Sequence, residues 1–119
     1  MRKNNYKNPQ LSLLIQELKK QAIEQKVALW KRIASDLESP TRNRRVVNVY
    51  KIDQNSKPNE TVIVPGKVLG MGELSKKVTV AAYSFSEDAK KKINDNGAAI
   101  SILELVGKNP KGKGIRILG

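Results

Sequence analysis

Arg42, Arg44 and Arg45 fall within four consecutive positions of PTRNRRVVNVYKI, residues 40–52, and Lys51 follows close behind. Neither Asp nor Glu lies between Glu38 and Asp53. Four cations without an internal counter-charge repel one another, so the stretch asks for negative charge from outside the chain. The pattern recurs. Residues 1–16 hold Arg2, Lys3 and Lys7 and no acid, and residues 105–119 hold Lys108, Lys111, Lys113 and Arg116 and no acid. These three windows carry all but one unit of the net charge of +12, and the remaining chain is a nearly neutral body. One such window reads as a solvated face. Three together point to a polyanionic partner.

The kind of polyanion is narrowed by what the windows lack. Unpaired bases are recognised on aromatic platforms, and the basic windows contain only Tyr6 and Tyr50. Lys and Arg bind phosphates without aromatic help. The expected contacts are therefore to backbone and folded shape, as in structured RNA or bulk duplex, with little sequence readout.

Catalytic chemistry has few residues to draw on. The chain contains neither Cys nor His, which removes disulfides, thiolate nucleophiles and the usual zinc ligands. No paired carboxylates sit in an apolar stretch. GKVLGMGEL, residues 66–74, has the glycines of a phosphate loop but neither its spacing nor a Lys-Ser or Lys-Thr after the last glycine. Its Gly66, Gly70 and Gly72 predict positive φ in a tight turn between short strands, and Glu73 is expected to bond that turn's backbone. Lys67 remains as an anion contact. Ser75-Lys76 has no surrounding nucleophile motif. The reading is a protein that is not an enzyme and needs no cofactor or metal. No apolar run approaches the ~20 residues of a membrane span, and MRKNNYKNPQ lacks the apolar core of a signal peptide. The expected location is cytoplasmic.

The elements that must position these cations are legible from periodicity. Residues 1–8 predict a disordered basic tail, and residues 9–119 a single domain. Leu11, Leu14, Ile15, Leu18 and Ala22 recur at helical spacing behind an Asn8 cap and Pro9. Val27, Trp30, Ile33, Ala34 and Leu37 mark a second amphipathic helix, stopped by Ser39-Pro40. Trp30 lies on the apolar face, which suits a core residue better than a stacking platform. After the helical part (9–38) comes a basic loop (39–45), then an α/β core (46–119). Val46, Val47 and Val49 predict a strand reaching towards Ile52, and Asp53 to Glu60 a turn-rich loop. The β-branched run Thr61–Val64 predicts a strand buried on both faces, broken by Pro65-Gly66. VTVAAY, residues 78–83, gives a third strand. Ser86 opens a helix with Glu87 and Asp88 at its positive end, Lys90–Lys92 on an exposed face and Gly97 at its close. Ala98–Ile100 is a short strand. Ser101 and Glu104 form a capping box for a helix over Ile102–Lys108, where Gly107 costs about 1 kcal/mol relative to Ala. KGKG is expected to be a flexible basic turn before a last strand of Ile115, Ile117 and Leu118.

NPQLSLLIQELKK, PTRNRRVVNVYKI, VIVPGKVLGMGELSKKVTVAAYSFSEDAKKKI and NPKGKGIRIL stand in the order and spacing of a known family. From Asn8 to Leu118 the chain resembles the archaeal and eukaryotic large-subunit ribosomal protein family called L-eighteen-e, a relative of bacterial L-fifteen. Lys67 to Leu74 carries the most specific match, and Pro40 to Arg44 the second. The resemblance implies an α/β fold with an irregular strand-strand-helix core, preceded by two amphipathic helices, with basic tails and loops. It implies a structural constituent of the large ribosomal subunit that binds large-subunit ribosomal RNA beside neighbouring ribosomal proteins, without membrane or small-molecule substrate. The short C-terminus looks archaeal. The opening cations then have a partner: Arg42, Arg44 and Arg45 can fork onto RNA phosphates, and Asn43 can add a hydrogen bond to sugar or base. The alternative is a free-standing basic RNA- or DNA-binding protein, of the RNA-chaperone or chromatin type.

Overall fold

Pro9 opens the first helix where the sequence expects it, because its fixed φ suits the first helical turn. A computed structural model of the chain describes residues 9–38 and 45–118. The expected tail with Arg2, Lys3 and Lys7, the loop residues Arg42, Asn43 and Arg44, and Gly119 lie outside the described residues. Helix α1 (Pro9–Gln25) buries Leu11, Leu14, Ile15 and Leu18. Lys26 ends it in a left-handed turn (φ 57°), and the Val27 N–H returns to the Ala22 carbonyl at 3.2 Å, a Schellman closure in which Lys replaces the commoner glycine. Helix α2 (Ala28–Glu38) then packs back on α1 through Trp30, Ile33, Ala34 and Leu37.

The remaining chain is β1 (Arg45–Asn48), α3 (Val49–Asn55), β2 (Thr61–Leu69), β3 (Thr79–Phe85), α4 (Glu87–Asn96), β4 (Ala98–Ser101), α5 (Ile102–Lys108) and β5 (Ile115–Ile117). All strands pair in parallel. One edge of β2 pairs with β3, which pairs with β4; on the other, its first half pairs with β5 and its second half with β1. Two apolar clusters lie on opposite faces. One joins α1, α2 and α5 to Ile63, Ala81 and Ile100; the other joins α3 and α4 to Val62, Val64, Val68, Val80 and Ala82. The alternation Val62, Ile63, Val64 feeds both, as expected for a central parallel strand. The path from β3 to β4 runs one way and the path from β4 to β5 returns, so right-handed crossovers place α4 and α5 on opposite faces.

Two expected boundaries are corrected. Val49 to Ile52 is helix rather than strand: Val49 and Ile52, three residues apart, enter the same core from α3. The loop expected from Asp53 is accordingly shortened. Pro65-Gly66 does not end β2. Pro65 sits between the β5 and β1 pairings and at the register shift against β3 between Val64 and Lys67, a place where a missing N–H is tolerated. The two expected serine caps form, the one at Ser101 through its hydroxyl, while the expected Asn8 cap lies outside the described residues. Ser86 Oγ accepts the Ala89 N–H (3.2 Å), Ser101 Oγ accepts the Glu104 N–H (3.0 Å), and α5 continues through Gly107.

The turn after β2 is architectural, for two different reasons. Gly72 has φ +97°, and a Cβ there would run into Tyr50. Gly66, which lies within β2, and Gly70 lack the expected positive φ; a Cβ at Gly70 would lie 2.6 Å from Asp88 Cβ and 3.0 Å from the Ala89 nitrogen. Lys92, expected on a solvated face, instead donates from Nζ to the Gly70 and Gly72 carbonyls at 2.7 and 2.6 Å. Glu73, expected to bond the turn, has an exposed side chain 3.9 Å from Lys92 Nζ. Lys92→Met should lower stability by about 1–3 kcal/mol, and Gly72→Ala by about 1–3 kcal/mol, measured by urea denaturation. Unchanged midpoints would show that the turn is not a fold element.

Candidate nucleic-acid interface

Among the described residues, the expected contact residues other than Arg116 fall into two groups at opposite ends of β2. The first gathers where β1, α3 and β2 meet. Arg45 opens β1, opposite Gly66 of β2. Val46 and Lys67 are register partners, both exposed, and Lys67 pairs onward with Ser84. Val47 and Val68 beside them are buried on the α3/α4 face. Val46 and Lys67 thus occupy the other face, on a strip that α1 and α2 leave bare. Lys51 is exposed on α3. Next to it Tyr50 donates its N–H to the Met71 carbonyl at 3.0 Å, so Met71 and Tyr50 project together from the locked glycine turn.

The second group is Lys108, Lys111 and Lys113, all exposed, between α5 and β5. Lys108 Nζ lies 3.2 Å from Glu104. The expected flexible turn is instead braced. The Asn109 amide donates to the Lys113 carbonyl (2.9 Å), and the Gly112 N–H donates to the Asn109 carbonyl (3.0 Å). The fully buried Trp30 donates its indole N–H to the Pro110 carbonyl at 2.8 Å. A core residue, Trp30 also anchors this turn. β5 begins opposite Thr61, six positions before Lys67, so the groups stand about 20 Å apart along β2.

Arg116 belongs to neither group. Its guanidinium donates in bidentate fashion to Glu60, at 2.8 and 3.1 Å. That donation holds the Glu60 carboxyl below its ordinary 4.5 and raises the arginine's own value. Ser75 and Lys76 likewise serve the fold. The Ser75 N–H and hydroxyl donate to Asp53 Oδ1 at 2.9 and 2.8 Å, and Lys76 Nζ donates to the Asp53 and Ser56 carbonyls at the end of α3. These bonds take up the orphan carbonyls of a helix end. The sequence contained no signal for the Lys92, Lys76 and Arg116 attachments, because each joins residues about twenty or more positions apart. Among the described residues no group of three acids could hold a metal ion.

The described surface is that of a small basic α/β protein whose cations flank a neutral, parallel-sheet core. The family model for ribosomal proteins 50S-L15 and 50S-L18e and their 60S counterpart matches residues 15–101. The chain is 46% identical over 119 residues to large ribosomal subunit protein eL18 of Archaeoglobus fulgidus, covering 99% of both. It is 48% identical to the protein of that name in Methanospirillum hungatei over 118 residues, 98% of both, and 44% identical to that of Haloarcula marismortui over 111 residues, 93% of this chain and 96% of that one. The chain belongs to this ribosomal protein family.

Asp53 gives a pH prediction. Its carboxyl is held below its ordinary 3.8, first by the Ser75 backbone N–H and then by the Ser75 hydroxyl. As pH falls the unfolded chain takes up the proton first. The stabilisation is therefore whole above the ordinary value and lost as pH falls through the lower folded-state value. Asp53→Asn keeps an oxygen acceptor but removes the titration. Urea midpoints of wild type and variant should differ at pH 7 and converge between about pH 5 and pH 2. A constant gap would exclude Asp53 from acid unfolding.

Proposed function

We propose that this chain is a structural constituent of the large ribosomal subunit, working in the cytoplasm as part of the ribosome. It binds folded large-subunit ribosomal RNA through phosphate and shape contacts, packs beside neighbouring ribosomal proteins, and catalyses nothing. The observation that carries this reading is the near full-length likeness to relatives bearing that name. The charge distribution supports it: cations are unbalanced in the windows and balanced elsewhere.

The RNA-facing residues are Arg45, Lys51 and Lys67 in the first group, Lys108, Lys111 and Lys113 in the second, and Arg2, Lys3, Lys7, Arg42, Asn43 and Arg44 in the segments outside the described residues. Arg116 contributes only through the N–H groups that Glu60 leaves over. Each phosphate contact releases counterions and steepens the salt dependence of binding. Lys111 and Lys113 sit on a turn braced by Asn109 and Trp30, so little ordering entropy remains to oppose contact.

The test is a salt titration of affinity for large-subunit ribosomal RNA beside a melting curve. Replacing Arg42, Arg44 and Arg45 with Ala should make the slope of log affinity against log salt shallower by roughly two to three, and replacing Lys111 and Lys113 by up to about two. Each exposed lysine substitution should change stability by less than about 0.5 kcal/mol. An unchanged slope with a lowered melting temperature would assign these cations to the fold. In fractionated lysate the protein should sediment with the large subunit; finding it free would favour the free-standing binder.

A further inference from the structure

Leu13, Glu17, Gln21 and Gln25 recur every four residues along α1 and form one ridge. Leu103 and Gly107 of α5 face them across a groove of about 550 Å³. Leu13 is 62% exposed and Leu103 46%, so apolar surface stands uncovered on both walls. From Leu13 to Gln25 the groove follows α1 for about 18 Å, which matches five or six residues of extended chain.

Gly107 is the second observation. Its φ is not positive, and a Cβ there would meet nothing within 4 Å. Nothing among the described residues requires glycine there, although it weakens α5 by about 1 kcal/mol relative to Ala. A bare backbone lets another backbone approach closely. The third observation is charge. In a chain of net charge +12, the described residues lining the groove include Glu17 and no base, although Lys108 and Lys111 stand just beyond its Gly107 and Pro110 end. The lining itself offers a phosphate no cation, and a second copy of this chain would bring +12 against +12. Gln21 donates to Glu17 Oε2 at 2.8 Å, which orients that carboxylate, and glutamine amides carry both the donor and the acceptor that a peptide backbone needs.

We propose that the α1–α5 groove seats an extended segment of a neighbouring ribosomal protein, apolar at alternate positions and presenting a base to Glu17. The inference rests on the ribosomal reading above, which supplies the neighbour. Leu13 and Leu103 take the apolar side chains, Gly107 admits the backbone, and Glu17 sets the register through a charge-assisted hydrogen bond.

The chain has no Cys, so Leu103→Cys carries a benzophenone maleimide at one defined place. The labelled full chain is assembled into large subunits and irradiated. The expected adduct is with a peptide of another ribosomal protein that combines apolar residues with Lys or Arg. Leu13→Cys, on the opposite wall, should give the same peptide, and serves alone if the Leu103 variant does not assemble. Adding Glu17→Lys should lower the adduct yield several-fold. An adduct with ribosomal RNA or with a second copy of this chain, or no adduct in particles that contain the label, overturns the proposal. Lys113→Cys with the same label is expected to mark RNA. Loss of that RNA adduct alone counts against the RNA-binding reading and leaves the groove standing, whereas a wild-type chain that does not enter large subunits removes both.

Discussion

Everything in this molecule hangs on the pairing of β2. Its nine residues are hydrogen-bonded to β3 on one edge and to β5 and then β1 on the other. Both faces are covered along Val62–Val64 and the α3/α4 face as far as Val68, so Val62, Ile63, Val64 and Val68 each contribute roughly 1.5–3 kcal/mol of burial. Parallel strands of this kind cannot be joined by tight turns. The chain must leave and return through α3, α4 and α5 and, between β2 and β3, through the glycine turn and the loop that follows it, and those excursions carry basic segments to the strand ends. Pro65 is compatible with this because it falls where one partner strand gives way to the next.

The same constraint explains which cations are free. Lys76 and Lys92 lie within excursions that pass close to other chain ends, and both ammonium groups are taken up by carbonyl oxygens. Arg116 is in β5 beside β2, where Glu60 precedes the strand, and the guanidinium is held there. Lys51, Lys67, Lys111 and Lys113 remain exposed, whether on an excursion or, like Lys67, on β2 itself. Net charge alone does not separate the two kinds. What separates them is whether a helix end, a turn or a carboxylate lies within reach of the side chain.

Local periodicity made α1, α2, α4 and α5 legible, because caps and apolar spacing are written within a few residues. Trp30 was legible as core, but its bond to Pro110 eighty positions away was not. The helix over Val49–Asn55 was hidden because β-branched Val46, Val47 and Val49 read as a strand continuing, and only the shared core of Val49 and Ile52 decides otherwise. The continuation of β2 past Pro65 was hidden because the exemption depends on which strands lie alongside. Of the candidate interface, the identity of the cations was legible and their grouping was not. Grouping is set by the parallel order β1-β2-β3-β4 with β5 also on β2, which no stretch of sequence states.

The grouping has a consequence for how a polyanion would be held. Two sets of cations held about 20 Å apart at the two ends of one central strand cannot move towards each other without breaking the sheet. Each set alone offers a few phosphate contacts, which bind weakly at physiological salt. Joined by a rigid spacer, the second contact becomes intramolecular, and its effective concentration is high only for a ligand whose own phosphates lie at that spacing. A flexible single strand adapts to any spacing and gains no discrimination from rigidity. A folded RNA presents phosphates at fixed distances and does gain it. On the proposed reading, selectivity for a folded target therefore comes from the separation that β2 imposes, without any residue reading a base.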